Sequence, residues 1–340
     1  MNTTTPRRIG PFTVAPIGLG CMNLSHGYGS PPSEDDAERL LHAALDQGVT
    51  LFDTAALYGF GANESLVGPV LKPHRSRITL CSKGGMAGVT GDDGTTRRVI
   101  DGRPEAIRRN CEDSLQRLGT DVIDLYYLHR WDQRVPIAES VGAMADLLRA
   151  GKVRALGLSE VSAATLRKAH AEHPISAVQS EYSLWSRNPE LGVLEVCREI
   201  GAAFVPFSPL GRAFLTGTLV DVSTLAPGDI RRSMPRFEPA AYDQNLRLLP
   251  GLQALAREVG CTTSQLALAW LLNRADHVVP IPGTTSEPHL SENLGAASVS
   301  LDVATMKRMD AHFESAAIHG NRYGAQGLSE TDAEEFPAPV

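Results

Sequence analysis

Eight short apolar runs alternate with longer stretches, several of helical period, and this rhythm limits what the chain can fold into. The runs are "VAPIGLG", "TLFDT", "RITLCSK", "DVIDLYYLH", "KVRALGLSE", "SAVQSEYS", "AAFVPFSPLG" and "HVVPIPG". Between the first two, Ala37, Leu40, Leu41, Ala44 and Leu45 fall on one helical face behind a Ser33/Asp36 capping box. Ile107, Cys111, Leu115 and Leu118 form a second stripe, opened by Pro104 and closed by Gly119. Ser162 caps a third helix, and Thr262 with Gln265 form a capping box on another. Strand-helix units repeated eight times predict an α/β fold, a (β/α)8 TIM barrel.

No linker divides the chain, so residues 1–340 read as one domain with a core of about 8–315. "RIGPFTV" reads as an N-terminal hairpin, "ATMKRMDAHFE" as an extra C-terminal helix, and 316–340 as a polar loop or tail. Residues 212–245, rich in Pro, Gly and Arg, read as irregular. A dinucleotide-binding sheet is the competing architecture. It wants G-x-G-x-x-G near the first strand. The near-match here, from Gly59 and Gly61, follows the second strand, and Glu64 stands where the third glycine belongs.

A net charge of −7 disfavours nucleic acid or an anionic membrane as a partner. The five cysteines (Cys21, Cys81, Cys111, Cys197 and Cys261) are scattered, without C-x-x-C. Together with the lack of an apolar leader or a long apolar run, they predict a soluble cytoplasmic protein with reduced thiols.

Catalytic groups of such a barrel collect where strands end. The second strand ends at Asp53, with Tyr58 in the next loop; the third ends at Lys83 and the fourth at His129. An ammonium beside a phenol favours the phenolate and lowers its pKa; a carboxylate holds the ammonium charged. An imidazole can hydrogen-bond a carbonyl. The set suits protonation of a carbonyl oxygen as hydride reaches its carbon. His170 and His173 end a helix without further ligands, so no metal site is expected.

Seven motifs, in order, complete the pattern: "LFDTAALYG…NESLVG", "SKGG", "YYLHR", "GKVRALGLSEVS", "VQSEYSLWSR", "FSPLGRAFLTG" and "IPGTTSEPHLSENLGA". Together they resemble the aldo-keto reductase superfamily, in its pyridoxal-reductase and perakine-reductase branch, from about Gly18 to Glu314. The resemblance implies an NAD(P)H-dependent reductase of aldehydes, ketones or sugar carbonyls. Tyr58 would be the acid/base, Lys83 would tune it, Asp53 would pair with Lys83, and His129 would orient the carbonyl. Ser159, Glu160 and Gln179 would meet the nicotinamide carboxamide, and Phe207 would stack on the ring. The loop Ser208, Pro209, Leu210, Gly211 and Arg212 would cover the pyrophosphate. Thr284, Thr285, His289, Glu292 and Asn293 would hold the adenosine end. Gly20, Cys21, Met22, Ile281 and Gly283 would border the cofactor from the first and last strands.

Two positions depart from that family pattern. Many relatives carry Ser-Asn where this chain has Ser159-Glu160, and a carboxylate accepts hydrogen bonds but donates none. No Lys or Arg lies between Gly283 and Leu294, where NADPH-preferring relatives place a cation. Only His289 and the helix start near Ser286 could meet a phosphate, and Glu287 would repel it. NADP(H) with some use of NAD(H) is therefore expected. Trp131, Trp185, Tyr127 and Tyr323 are candidate aromatic contacts for substrate, and the basic loop at residues 231–237 is a candidate cover for the cofactor phosphates. The expected partner is a small carbonyl compound. An alternative is a cofactor-binding regulatory subunit resembling potassium-channel β-subunits; another is a metal-dependent sugar isomerase on the same barrel.

Overall fold

The computed structural model describes residues 4–336. An N-terminal hairpin pairs β1 (Arg7–Ile9) with β2 (Phe12–Val14). The barrel begins with β3 (Leu19–Gly20), α1 (Glu34–Asp46), β4 (Leu51–Asp53), α2 (Ala62–Leu71) and β5 (Thr79–Gly84). A second hairpin, β6 (Met86–Thr90) with β7 (Thr96–Ile100), precedes α3 (Pro104–Leu118). The alternation resumes with β8 (Ile123–Leu128), α4 (Ile137–Arg149), β9 (Val153–Ser159), α5 (Ala163–Glu172), β10 (Ala177–Glu181), α6 (Val193–Ile200) and β11 (Ala203–Phe207). Then come α7 (Pro239–Leu246), α8 (Leu249–Val259), α9 (Thr263–Leu272), α10 (Glu287–Gly295), α11 (Val303–His312) and the short α12 (Ala325–Ser329).

Strands β3, β4, β5, β8, β9, β10 and β11 lie side by side, all parallel. The expected eighth strand takes its place but forms no full ladder. On one side Val279 donates to Phe204 O (2.9 Å) and Ile281 to Pro206 O (3.0 Å). On the other, Gly18 donates to Pro280 O (3.0 Å) and Gly20 to Pro282 O (3.2 Å). Pro280 and Pro282 have no N–H to return, so the seam with β3 carries bonds in one direction only, whereas Phe204 N donates back to His277 O (2.8 Å) on the β11 side. The barrel is nonetheless closed.

Side chains alternate across a strand with a period of two. The barrel interior holds Leu51, Cys81, Leu125, Tyr127, Ala155, Ala177, Val205 and Ile281, and the hairpin's Ile9 and Val14 plug its lower end. Two residues beyond these positions, at the C-terminal ends, stand Asp53, Lys83, His129, Gln179 and Phe207; Ser159 keeps the same parity on β9. Strand register thus aims the ionisable groups at one mouth. Residues of the other parity, such as Phe52, Leu80, Tyr126, Leu156 and Phe204, join the outer core with Leu41, Ile107, Met144 and Trp270. Burying each such side chain contributes roughly 1.5–3 kcal/mol.

An N-cap forms at each of the three expected helix starts. Ser33 accepts from Asp36 N (3.2 Å) and Ser162 from Thr165 N (3.3 Å). Thr262 and Gln265 cap one another's backbone reciprocally at the start of α9.

Several local expectations differ. Residues 212–245 contain 3-10 turns and α7 rather than only irregular chain. Trp185 stacks on Phe214 (4.1 Å, 21°) and meets Phe237 edge-on, so it belongs to the core beneath that segment and not to a rim. Tyr127 fills the barrel: a Cβ on Gly157 would lie 2.4 Å from its ring, so only glycine fits opposite it. Among the described residues no helix is long and apolar enough to cross a membrane.

Candidate active site

Strand β4 delivers Asp53 and strand β5 delivers Lys83, whose side chain is wholly buried. Lys83 Nζ pairs with Asp53 Oδ1 and donates to Thr54 O (2.9 Å). Asp53 Oδ2 accepts from Gln179 Nε2 (2.8 Å), which ties the carboxylate to β10. Tyr58 Oη lies 3.2 Å from Lys83 Nζ. The Tyr58 and His129 rings meet edge-on at 5.8 Å and 84°. The three strand-end groups and the loop tyrosine thus converge on one site.

The turn that sets Tyr58 in place is costly. Gly59 (φ +57°), Phe60 (φ +52°) and Gly61 (φ +99°) all lie in the left-handed region. Phe60 is not glycine, and such a residue costs on the order of 1–3 kcal/mol. The turn is held from behind. A Cβ on Gly61 would lie 2.7 Å from Arg117 Cδ. Glu64, fully buried where a phosphate loop would need glycine, accepts from Arg117 Nε (2.7 Å) and from Ser82, the neighbour of Lys83. The residue that breaks the dinucleotide fingerprint is an anchor for the site.

The electrostatics follow from burial and charge. Burial lifts the Tyr58 phenol above its ordinary value and outweighs the opposite pull of Lys83. The expected lowering is therefore present but does not win, and the phenol keeps its proton at neutral pH. Burial opposes the charge on Lys83, yet Asp53 and Tyr58 raise the ammonium above its usual range. Burial, with Arg130 and Lys83, drives His129 well below the usual imidazole value. His129 is a neutral ring, and its buried Nδ1 has no partner.

These groups open into a cavity of about 850 Å³. Near Tyr58 it is lined by Asp53, His129, Ser159, Gln179 and Phe207. Gly20 and Met22 border it from the first strand's loop. One arm runs past Ser208, Pro209, Leu210 and Arg212 to Ile281, Gly283, Thr284, Thr285, His289, Glu292 and Asn293. In the loop beside that arm Ser208, Gly211, Arg212 and Ala213 all have left-handed backbones, so the chain after β11 is strained like the turn at Tyr58.

Four expected contacts lie elsewhere. Cys21 is buried with its thiol 3.8 Å from Leu19 O, and Gly211 packs under Trp185; neither lines the cavity. Trp131 is turned aside, its indole N–H donating to Val135 O (2.9 Å). Glu160 points away from the mouth to pair with Arg322 (2.6 Å) and to accept from Glu181 N (2.8 Å). Both side chains of the Glu160–Arg322 pair are buried, and the pair pulls the C-terminal segment onto β9. There Asp332 N donates to Glu160 O (2.9 Å), and Asp332 and Glu334 accept from Ser162 N and Ala163 N. Acids at that helix start also suit its dipole. The carboxylate that replaces the amide of relatives is thus a clamp for the tail.

The tail forms a wall of which the sequence offered only Tyr323. Tyr323, Gln326 and Glu330 line the cavity, and Glu330 makes a bidentate pair with Arg98 of β7 (both 2.6 Å). Arg212 joins Glu181 (2.7 Å), Tyr28 Oη (2.8 Å) and Tyr323 Oη (3.1 Å). Within the basic loop, Arg231 and Met234 line the cavity but Arg236 does not; it donates to Trp185 O. Arg130, directly after His129 in "LHRWD", lines the cavity too and was also missed. Among the described residues no three His, Cys, Asp or Glu side chains converge as metal ligands.

The sequence model of the aldo/keto reductase family matches residues 16–314. The chain is 42% identical over 313 residues to a probable aldo-keto reductase of Glycine max, covering 92% of this chain and 89% of that one. It belongs to the aldo/keto reductase family. Among solved structures it is similar to a glycerol dehydrogenase of Gluconobacter oxydans (TM-score 0.84, 26% identity, 100% of both chains). It is also similar to an aldo/keto reductase of Klebsiella pneumoniae in complex with NADP and acetate (TM-score 0.70, 26% identity, 94% and 99% covered). Family membership makes this chain an NAD(P)-dependent oxidoreductase acting on small carbonyl compounds.

Proposed function

We propose that this reductase converts an aldehyde, ketone or sugar carbonyl to the alcohol, reversibly, with Tyr58 giving the proton. The observation that carries the reading is the Tyr58 phenol, 3.2 Å from a buried ammonium that is itself paired with Asp53, at the mouth of the cavity. Reduced nicotinamide, when bound, supplies hydride to the carbonyl carbon. The residues present fit such a group. Phe207 offers a ring face, Ser159 and Gln179 offer polar atoms beside it, and the strained loop from Ser208 to Arg212 borders the arm beyond.

Tyr58 donates to the carbonyl oxygen as charge builds there, and Lys83 stabilises the phenolate left behind. Neutral His129 donates a ring N–H to the same oxygen and orients it without a competing charge. The regulatory-subunit alternative has no observation in its favour. Five unpaired cysteines support work in a reducing compartment such as the cytoplasm.

We also infer that the cofactor preference is relaxed toward NAD. His289, Glu292 and Asn293 line the adenosine arm, and the first turn of α10 carries Glu287 with no cation. A carbonyl panel run with NADPH and NADH tests both readings. Oxidation of either cofactor by at least one carbonyl is expected; none would refute the reductase assignment. An NADPH-over-NADH ratio of kcat/KM in the several hundreds would refute the relaxed preference.

A further inference from the structure

Each other arginine that lines the cavity is neutralised by its own carboxylate. Arg98 pairs with Glu330, Arg212 with Glu181 and Arg231 with Asp229. Arg130 differs. Its Nη1 donates to two neutral acceptors, His129 O (2.7 Å) and Ser159 Oγ (3.1 Å). Among the described residues no carboxylate pairs with it, and its Nε and Nη2 have no hydrogen-bond partner. It lies one residue beyond His129 and lines the same cavity as Tyr58.

We propose that Arg130 is a specificity-determining residue that receives an anionic group, carboxylate or phosphate, on the carbonyl substrate. The proposal rests on the reductase reading above. A guanidinium is charged at every relevant pH, and its planar fork matches the oxygens of either anion. The two Nη1 bonds fix the plane of the fork against the strand ends, so its free edge is presented ready-made. The acids nearest in the site do not compete for it. Asp53 is engaged by Lys83 and Gln179, and Glu330 by Arg98. Glu292 belongs to α10, after the last strand, and so lies across the barrel from the loop after β8. Because Arg130 adjoins His129, the anion and the reacting carbonyl sit in one small molecule. An oxo acid of short chain or a phosphorylated aldehyde or sugar fits that description.

The test compares matched carbonyl pairs on the full-length enzyme with NADPH and NADH. Succinic semialdehyde against butanal reads the carboxylate arm; glyceraldehyde phosphate against glyceraldehyde reads the phosphate arm. In at least one arm the anionic member should have a kcat/KM about ten- to a hundredfold higher, the size of a charge-assisted hydrogen bond. Arg130→Met should cut that ratio about tenfold or more, Arg130→Lys should keep part of it, and added salt should narrow it. The ratio cancels any general damage to the strand end, which would lower both members alike. Ratios at or below unity in both arms of the wild type, or a ratio untouched in Arg130→Met, would overturn the proposal while leaving the reductase reading intact. No turnover of these four carbonyls would overturn the proposal alone; no turnover across the whole carbonyl panel would overturn the reductase reading as well. Should Arg130→Met not fold, competitive inhibition of butanal reduction by succinate or inorganic phosphate decides the matter in the wild type. Inhibition that weakens in Arg130→Lys supports the proposal, and its absence refutes it.

Discussion

The floor of the cavity hangs from strand ends, whereas its outer wall is assembled from segments up to 232 residues apart in the chain. Asp53, Lys83 and His129 each end a strand that is hydrogen-bonded on both sides, and their positions follow from strand register. Arg98, Tyr323 and Glu330 sit on a hairpin and a tail that are held by a few ion pairs and hydrogen bonds. The floor has one arrangement because the barrel has one. The wall is held by contacts that can be removed singly, which makes it the adjustable part of the site.

Lys83→Met strikes the floor and should have the largest effect. It takes the cation from the phenol and strands the buried Asp53 carboxylate, so kcat should fall by roughly 10²–10⁴. Stability should drop by about 3–5 kcal/mol, because breaking a buried pair leaves an unpaired charge. Steady-state kinetics with a thermal melt measures both. A variant with wild-type turnover would break the distinction between floor and wall.

Glu160→Gln strikes the wall instead. It leaves Arg322 buried beside a neutral amide, but the tail can lift and solvate the guanidinium. The expected result is early proteolytic cleavage within residues 316–336, a raised KM and a nearly unchanged melting temperature. Hydrogen exchange of the tail no faster than in the wild type would contradict this.

The effect least visible near neutral pH is a pH dependence of the wall, which shows only in acid. Burial opposes the Glu181 carboxylate, but Arg212, Arg322 and Arg236 outweigh it and lower its value from 4.5 to about 2. A depressed acid stabilises the fold above its unfolded value, and that stability is lost as pH falls through the folded one. The loss should therefore run from pH 4.5 down to about 2. Glu181→Gln should flatten this part of the stability profile; an unchanged profile would remove Glu181 from the account.

The same contrast explains what could be read from the chain. A period of two carries strand direction into the sequence, so Asp53, Lys83 and His129 were legible, and Tyr58 followed by its place in the loop. Closure by "HVVPIPG" was legible, but its one-way hydrogen bonding to β3 depends on which neighbour Pro280 and Pro282 face. Glu64 and Glu160 were visible only as departures from a pattern. Their partners, Arg117 and Arg322, lie 53 and 162 residues away, and no local rule links them. Arg98, Arg130, Gln326 and Glu330 were missed for a related reason. Hairpins and tails have no periodicity that states which way they fold back, and an arginine beside a catalytic histidine reads like any solvated one.

Tyr58→Phe tests the central claim most directly, because it removes one oxygen and keeps the ring that packs against His129. Turnover with the best carbonyl of the panel should fall by roughly 10²–10⁴, while fluorescence titration shows the cofactor still bound. Turnover close to that of the wild type would contradict the account.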